Sequence, residues 1–392
     1  MIGLIQQLKR RTPLGWVQLS HERSRLLVAL SGIAFADVLM FMQLGFQDAL
    51  YDSNTRLNRA LHTDIVLMSP KARNIQNLST IPRRRLYQAS DIPGVESADP
   101  MYINLITWRN PQNLANETQI QIIGVNPERP AFNLPEVNQQ LNKITLPDTF
   151  LFDRGSKGDY KVALDKIKQG KSVTTEIENR TITLSGLFLL GTSFAAEGNL
   201  ITSDQNFLRL FPRRDASSIN LGLVKIKPGY DPKQVATALK AYLPNDVKVL
   251  THQEFIKFEE DYLKKESPIG FIFGLGVSMG FIVGIIIVYQ VLSTDVNAHL
   301  KEYATFKAMG YRNIYLLGVI FEEAIILAVL GFLPGIIVPF GLYHLTRSAT
   351  NLPIYMTMAR ALMVLVLTII MCTISGAIAT RKLQAADPAD MF

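Results

Sequence analysis

Apolar residues gather in four long blocks in this chain, and a polar stretch of about 220 residues separates the first block from the other three. The blocks are residues 26–46, 269–292, 314–345 and 361–379. A helix crossing a bilayer needs about 20 mostly apolar residues, so each block is long enough to cross. The pattern predicts an α-helical membrane protein with four transmembrane helices. A large domain, 47–268 with its stalk, is inserted between helices 1 and 2. Short polar pieces complete the chain: an arm at 1–25, a segment at 293–313, a loop at 346–360 and a tail at 380–392.

Inside the insert the pattern changes. Residues 63–68, 102–108, 119–125, 180–190 and 219–226 are rich in β-formers or alternate with period two, which predicts strands. Residues 232–243 and 252–264 have helical spacing; Asp231 is placed as an N-cap, and Pro232 falls in the first turn, where its missing N–H costs nothing. The insert therefore reads as mixed α/β, and the proline-rich stretch 126–135 is a candidate boundary between two lobes. Residues 92–100 should end a helix and lead into a strand.

Composition agrees with partial burial in lipid: of 392 residues 48% are hydrophobic and 19% charged. The lone cysteine, Cys372, excludes an intrachain disulfide framework, and five scattered histidines with no HExxH spacing predict no metal site. Nothing in the chain points to nucleic acid.

Charge placement sets orientation. Lys9, Arg10, Arg11, Arg23 and Arg25 lie in the arm, Lys301, Lys307 and Arg312 in 293–313, and Arg381 and Lys382 in the tail; the 346–360 loop has only Arg347 and Arg360. Lysine and arginine in short loops favour the cytoplasm, so both termini and 293–313 are expected there and the insert outside. The insert carries 28 Lys and Arg against 25 Asp and Glu, but long domains cross regardless of charge. Ala34-Phe35-Ala36 resembles a signal-peptidase site, yet the apolar run continues through Met42, as an uncleaved anchor requires.

Three groups of residues invite a function. Gly186 to Thr192 has the glycine spacing of a phosphate loop without its lysine, so it reads as strand and turn; no catalytic residues and no cofactor are expected in this chain. In the second block Gly270 and Gly274 are four apart, and so are Gly276, Gly280 and Gly284, which suits close helix packing in this chain or against another copy. Gly331 and Gly335 serve similarly in the third block, which Pro334 and Pro339 should kink or break. Asp37, Glu322 and Glu323 are carboxylates within apolar blocks, where each costs about 2.5 kcal/mol or more to insert and is a functional candidate.

The segment 297–313, NAHLKEYATFKAMGYRN, is polar between two apolar runs. Its centre should be a short helix ended by Gly310. Such a helix can rest on the lipid surface or dock into a soluble partner; periodicity favours neither.

Beyond the residues themselves, the chain resembles the FtsX-like, MacB-type permeases of ABC systems. Glu302 to Tyr311 resembles the family's loop after the second span, Glu323 to Gly335 its third span, and Thr380 to Ala389 its closing run. Residues 12–36 resemble more narrowly the DevC-type permeases of cyanobacterial heterocyst-type exporters. The resemblance implies a bacterial, cyanobacterial inner-membrane permease paired with a second copy of itself. Its partners would be an ABC ATPase subunit holding ATP and Mg, a periplasmic membrane-fusion adaptor, a TolC-like outer-membrane duct and membrane lipids. The cargo would be a glycolipid or related envelope compound. It assigns ATPase coupling to Leu300, Glu302, Tyr303, Phe306, Lys307, Met309 and Gly310. Two other readings stay open: a scaffold permease that activates envelope enzymes without transport, and a secondary carrier using Asp37, Glu322 and Glu323.

Overall fold

The computed structural model describes residues 23–111, 113–177, 180–193, 195–299, 305, 309, 313–350 and 352–385. Among them, four helices are long and apolar enough to cross a membrane. They divide the described chain into two compact units: one takes residues up to Asp48, Ile269–Ala349 and those from Ile354 onwards, the other Ala49–Pro268 with Thr350–Pro353.

The membrane helices outrun their apolar blocks. The first is Arg23–Ala60, the second Pro268–Ala298, the third Asn313–Thr350 and the fourth Met358–Ala385. Hydropathy marks where lipid would be, not where backbone hydrogen bonding stops. Past residue 46 the first helix carries Ser53, Asn54 and Thr55, whose side chains bond back to the carbonyls of Leu50 and Tyr51 and so remain compatible with helix. The expected break at Pro334 and Pro339 does not occur; both sit inside one continuous helix. Proline is tolerated there because neighbouring helices and local adjustment can satisfy the carbonyls it frees.

The inserted unit is built on a nine-stranded mixed sheet, in the order β11-β1-β10-β3-β4-β8-β5-β7-β6. Its strands are β1 (Ile65–Met68), β3 (Val95–Asn110), β4 (Asn113–Val125), β5 (Thr149–Asp153), β6 (Val173–Ile177), β7 (Arg180–Phe188), β8 (Asn199–Ser203), β10 (Leu221–Ile226) and β11 (Lys248–Thr251); β2 (Ile81–Pro82) and β9 (Ser218–Ile219) form a separate pair. The β4–β8 and β5–β7 pairs are parallel and the rest antiparallel.

Both faces of the sheet are covered. Along β1, Ile65 and Leu67 enter one core while Val66 and Met68 enter the other, as a period of two demands. The sheet curls until β6 meets the far end of β3, where the Thr175 hydroxyl donates to the Arg109 carbonyl at 3.0 Å. Within the curl Trp108 stacks on Phe152 at 5.5 Å and donates to the Tyr160 hydroxyl at 3.3 Å.

The stretch 126–135 does not split this unit. Strand β4 ends at Val125 and pairs directly with β8, so one hydrogen-bonded sheet runs across the proline-rich segment. The two anticipated helices are Pro232–Tyr242 and His252–Lys265. Asp231 caps the first by accepting from Lys233 N, and Thr251 with Glu254 closes a capping box on the second. Residues 92–100 turn from the helix Arg84–Ser90 into β3 at Gly94, whose φ of +94° suits a residue without Cβ.

Candidate functional site

The first membrane helix is the hub of its unit. Ala29, Ile33, Ala36, Met40 and Phe41 are at most 1% exposed, and the other three helices close on them. Glycines permit the approach. A Cβ at Gly280 would stand 3.3 Å from Met40 and 3.4 Å from Leu39; at Gly276 it would meet the Gln43 carboxamide. At Gly284 it would stand 3.0 Å from the Ala36 methyl and collide with Met371 of the fourth helix. Gly331 faces Ile33, and Gly335 faces Asp37, in the same way.

The glycine ladder is therefore sorted by face. Gly276, Gly280 and Gly284 pack inside this chain. A Cβ at Gly274 would find no atom within 4 Å, and Gly270 is half-buried near the start of the helix. Phe271, Leu275, Met279 and Ile282 are exposed along the same helix.

Polar contacts join the helices at several levels. Asp37 is fully buried and accepts from the Thr368 hydroxyl of the fourth helix at 2.6 Å. Ser375 donates to the Ile285 carbonyl at 2.9 Å, tying the fourth helix to the second. Arg360, 5% exposed, forks onto Asp48 Oδ2 through Nη2 at 2.6 Å and Nε at 3.3 Å, and its Nη1 donates to the Tyr355 carbonyl at 2.8 Å. The Arg360 guanidinium also lies over the Tyr343 ring, and the Tyr343 hydroxyl donates to the Phe41 carbonyl. Charge counting had placed Arg360 in a loop. Its only sequence signal is its position in the first turn of an apolar helix, and nothing local names Asp48 as its partner.

Glu323 is buried beside Asp295 of the second helix, whereas Glu322 is half-buried. Asp295 carries no sequence signal beyond its place at the end of an apolar run. Leu300, Glu302, Tyr303, Phe306, Lys307 and Gly310 lie outside the described residues; Thr305 and Met309 are described, and both are exposed.

In the inserted unit one of the two phosphate-loop-like glycines, Gly191, donates to another anion. Asp153 accepts from Gly155 N at 2.9 Å, Leu190 N at 3.1 Å, Gly191 N at 2.7 Å and Asn199 Nδ2 at 2.8 Å. A carboxylate of the chain itself occupies the donors a phosphate would need. Glu259 is the other deeply placed acid here, accepting from Ile75 N at 2.9 Å, and burial pushes its carboxyl up to about 7. Among the described residues, no three His, Cys, Asp or Glu converge as metal ligands.

Residues 270–388 match the family of the FtsX-like permease C-terminal region. The FtsX-like part covers the second, third and fourth membrane helices and the 293–313 segment between them. No curated protein matches the chain. Among solved structures, the periplasmic region of MacB from Actinobacillus actinomycetemcomitans is 13% identical with a TM-score of 0.33, over 52% of this chain and 96% of that one. The extracellular domain of the noncanonic ABC-type transporter YknZ from Gram-positive bacteria is 13% identical with a TM-score of 0.32, over 48% of this chain and 100% of that one.

Proposed function

We propose that this chain is the membrane subunit of an ABC-type exporter whose ATPase is a separate protein. The observation that carries the reading is the FtsX-like match across residues 270–388, which includes the polar segment between helices 2 and 3. In this reading two copies pair, two ATPase subunits dock on 297–313, and ATP with Mg is bound by those partners. Glu302, Tyr303 and Phe306 supply the docking contacts, with Leu300, Lys307, Met309 and Gly310 shaping the segment. The stroke of the ATPase reaches the inserted domain through the second helix and the stalk before it. The domain works outside an inner membrane, with an adaptor and a TolC-like duct beyond it. The resemblance of residues 12–36 to DevC-type permeases favours a cyanobacterial envelope glycolipid as cargo.

The doubly changed chain Glu302→Lys, Phe306→Ala tests the docking. It should insert normally and lose its ATPase on co-purification; recovery of the ATPase at wild-type yield would refute the docking. For transport itself, a deletion strain should lose an exported envelope lipid, and an unchanged envelope would favour the scaffold reading. A second reading as a carboxylate-driven carrier draws on the buried neighbours Glu323 and Asp295. Glu323→Gln should abolish proton-coupled uptake in a carrier and leave ATP-driven export intact in the exporter.

A further inference from the structure

Inside the inserted unit, a short hairpin in the loop after β1 grips two helices at once. It spans residues 73–77 and is closed by Arg73 N on the Asn77 carbonyl at 3.0 Å and by Asn77 N on Asn74 Oδ1 at 2.8 Å. At its tip Ile75 is buried in one core with Leu57, from the tail of the helix Arg23–Ala60, and Phe255, from the helix His252–Lys265. Gln76 Nε2 donates to Asn54 Oδ1 in the first of these helices at 3.4 Å. Ile75 N donates to Glu259 Oε2 in the other at 2.9 Å. In the chain these are the helices that enter and leave the inserted unit.

The grip on Glu259 is incomplete. This residue is 1% exposed, and its Oε1 has no hydrogen-bond partner among the described residues. Asn58, between Leu57 and Leu61 of the first helix, is fully buried, and neither of its amide atoms is bonded among the described residues. Buried polar atoms without partners forgo the hydration that an opened structure would restore. Neighbouring charges do not compensate. On the first helix Arg59 pairs with Asp52 and Glu260, and Arg56 donates to the Leu190 carbonyl. Lys71 and Arg73 of the loop are exposed. Asp64, just before β1, pairs with Lys225, and Lys248 of β11 lies over the Phe258 ring. On the helix of Glu259 itself, His252 bonds the Asn58 carbonyl, Glu254 caps Thr251, Lys257 is exposed, and Lys264 and Lys265 pair with Glu260 and Asp261. None of them moves the Glu259 carboxyl, which answers to burial first and to the Ile75 N–H second; burial wins and pushes it up to about 7.

We propose that the 73–77 hairpin is a proton-operated clip, closed on both helices while Glu259 is protonated and released from the helix His252–Lys265 when Glu259 ionises. A neutral carboxyl can stay in this core with one N–H for company. A carboxylate there has given up its water for that single donor, so turning out to solvent favours it and undocks Ile75. The closed form holds the extra proton. Its advantage is therefore complete below the ordinary carboxyl value of 4.5, is lost as pH rises towards 7, and levels off above that. The clip needs no ATPase and no cargo, so it stands independently of the exporter reading.

The test is amide hydrogen exchange of the full chain in detergent at about pH 5 and pH 8, read by mass spectrometry and corrected for the intrinsic pH dependence of exchange. Protection of the 73–77 amides should fall at least about tenfold from the lower pH to the higher, while β8 keeps its protection. E259Q keeps an acceptor for Ile75 N and cannot ionise, so its hairpin should be equally protected at both values. Unchanged protection of 73–77 in the wild type overturns the clip, as does an equal loss in β8, which would make the event global. A fall that persists in E259Q, or a hairpin unprotected in E259Q at the lower pH while β8 stays protected, overturns it too. Should E259Q fail to fold, the wild-type comparison of 73–77 with β8 decides alone.

Discussion

The Thr368 hydroxyl donates to Asp37 at 2.6 Å, and this one contact spans 331 positions of sequence to join the fourth membrane helix to the first. The Val364 carbonyl, 2.8 Å from the Thr368 oxygen, is a second acceptor competing for the same O–H, and Gly335 lets the third helix close over the Asp37 carboxyl. Thr368→Val keeps the shape and removes the hydroxyl. It should cost about 1 kcal/mol, the scale measured for interhelical hydrogen bonds in membranes. Asp37→Asn, which keeps an acceptor, should cost less than Asp37→Leu. Detergent-unfolding midpoints of the three variants check the order; equal loss in Asn and Leu would deny the hydrogen bond its role.

Glycines of one ladder should respond differently. Gly284→Val places methyls against Ala36 and Met371 and should destabilise by about 1–3 kcal/mol, as overpacking does. Gly274→Ala meets open space and should be neutral or slightly stabilising, since alanine is the better helix former. Thermal unfolding of both variants in one detergent makes the comparison.

Glu259 should make stability depend on pH. Its carboxyl is pushed from the ordinary 4.5 up to about 7 by burial, so the folded state disfavours the ionised form. Stability is then greatest below about pH 4.5, falls as pH rises towards 7, and levels off above that. The full effect is on the order of 3 kcal/mol at 1.36 kcal/mol per unit. Glu259→Gln should flatten this slope and raise the melting temperature at pH 8. A slope unchanged in the variant would assign the pH dependence elsewhere.

Asp153 gathers four N–H donors from three segments of the sheet domain. Asp153→Ala strands them and should cost about 3 kcal/mol or more, because buried donors left unpaired carry their full desolvation penalty. Added inorganic phosphate should not restore the loss if the carboxylate is purely structural. Calorimetry with and without phosphate decides.

Much of the fold is legible in sequence, and the strands that are not fall into two kinds: β6 and β11 alternate but are only five and four residues long. Alternation exposes β3 and β7 because parts of their faces are less deeply covered, whereas β1, β4 and β10 are marked by runs of β-formers instead. Strands β5 and β8, TFLFD and NLITS, are buried at every position, so no alternation marks them. Likewise the helix ends at Ala60, Ala298 and Thr350 lie beyond the apolar blocks because polar residues can continue a helix outside lipid. Among candidate site residues, Asp37 and Glu323 stand out as charges in apolar runs, whereas Asp48, Asp295 and Arg360 do not.

The sequence by itself determined that four helices cross a membrane, where they lie, and that a mixed α/β domain separates the first from the second. These follow from transfer free energy and side-chain period, which are properties of a few consecutive residues. Only the tertiary structure decided that Gly284 packs inward while Gly274 faces out, that Asp37 finds Thr368, and that Arg360 finds Asp48 across 312 positions. A hydrogen bond or a close helix crossing depends on two surfaces meeting, and neither surface alone records which partner it will meet.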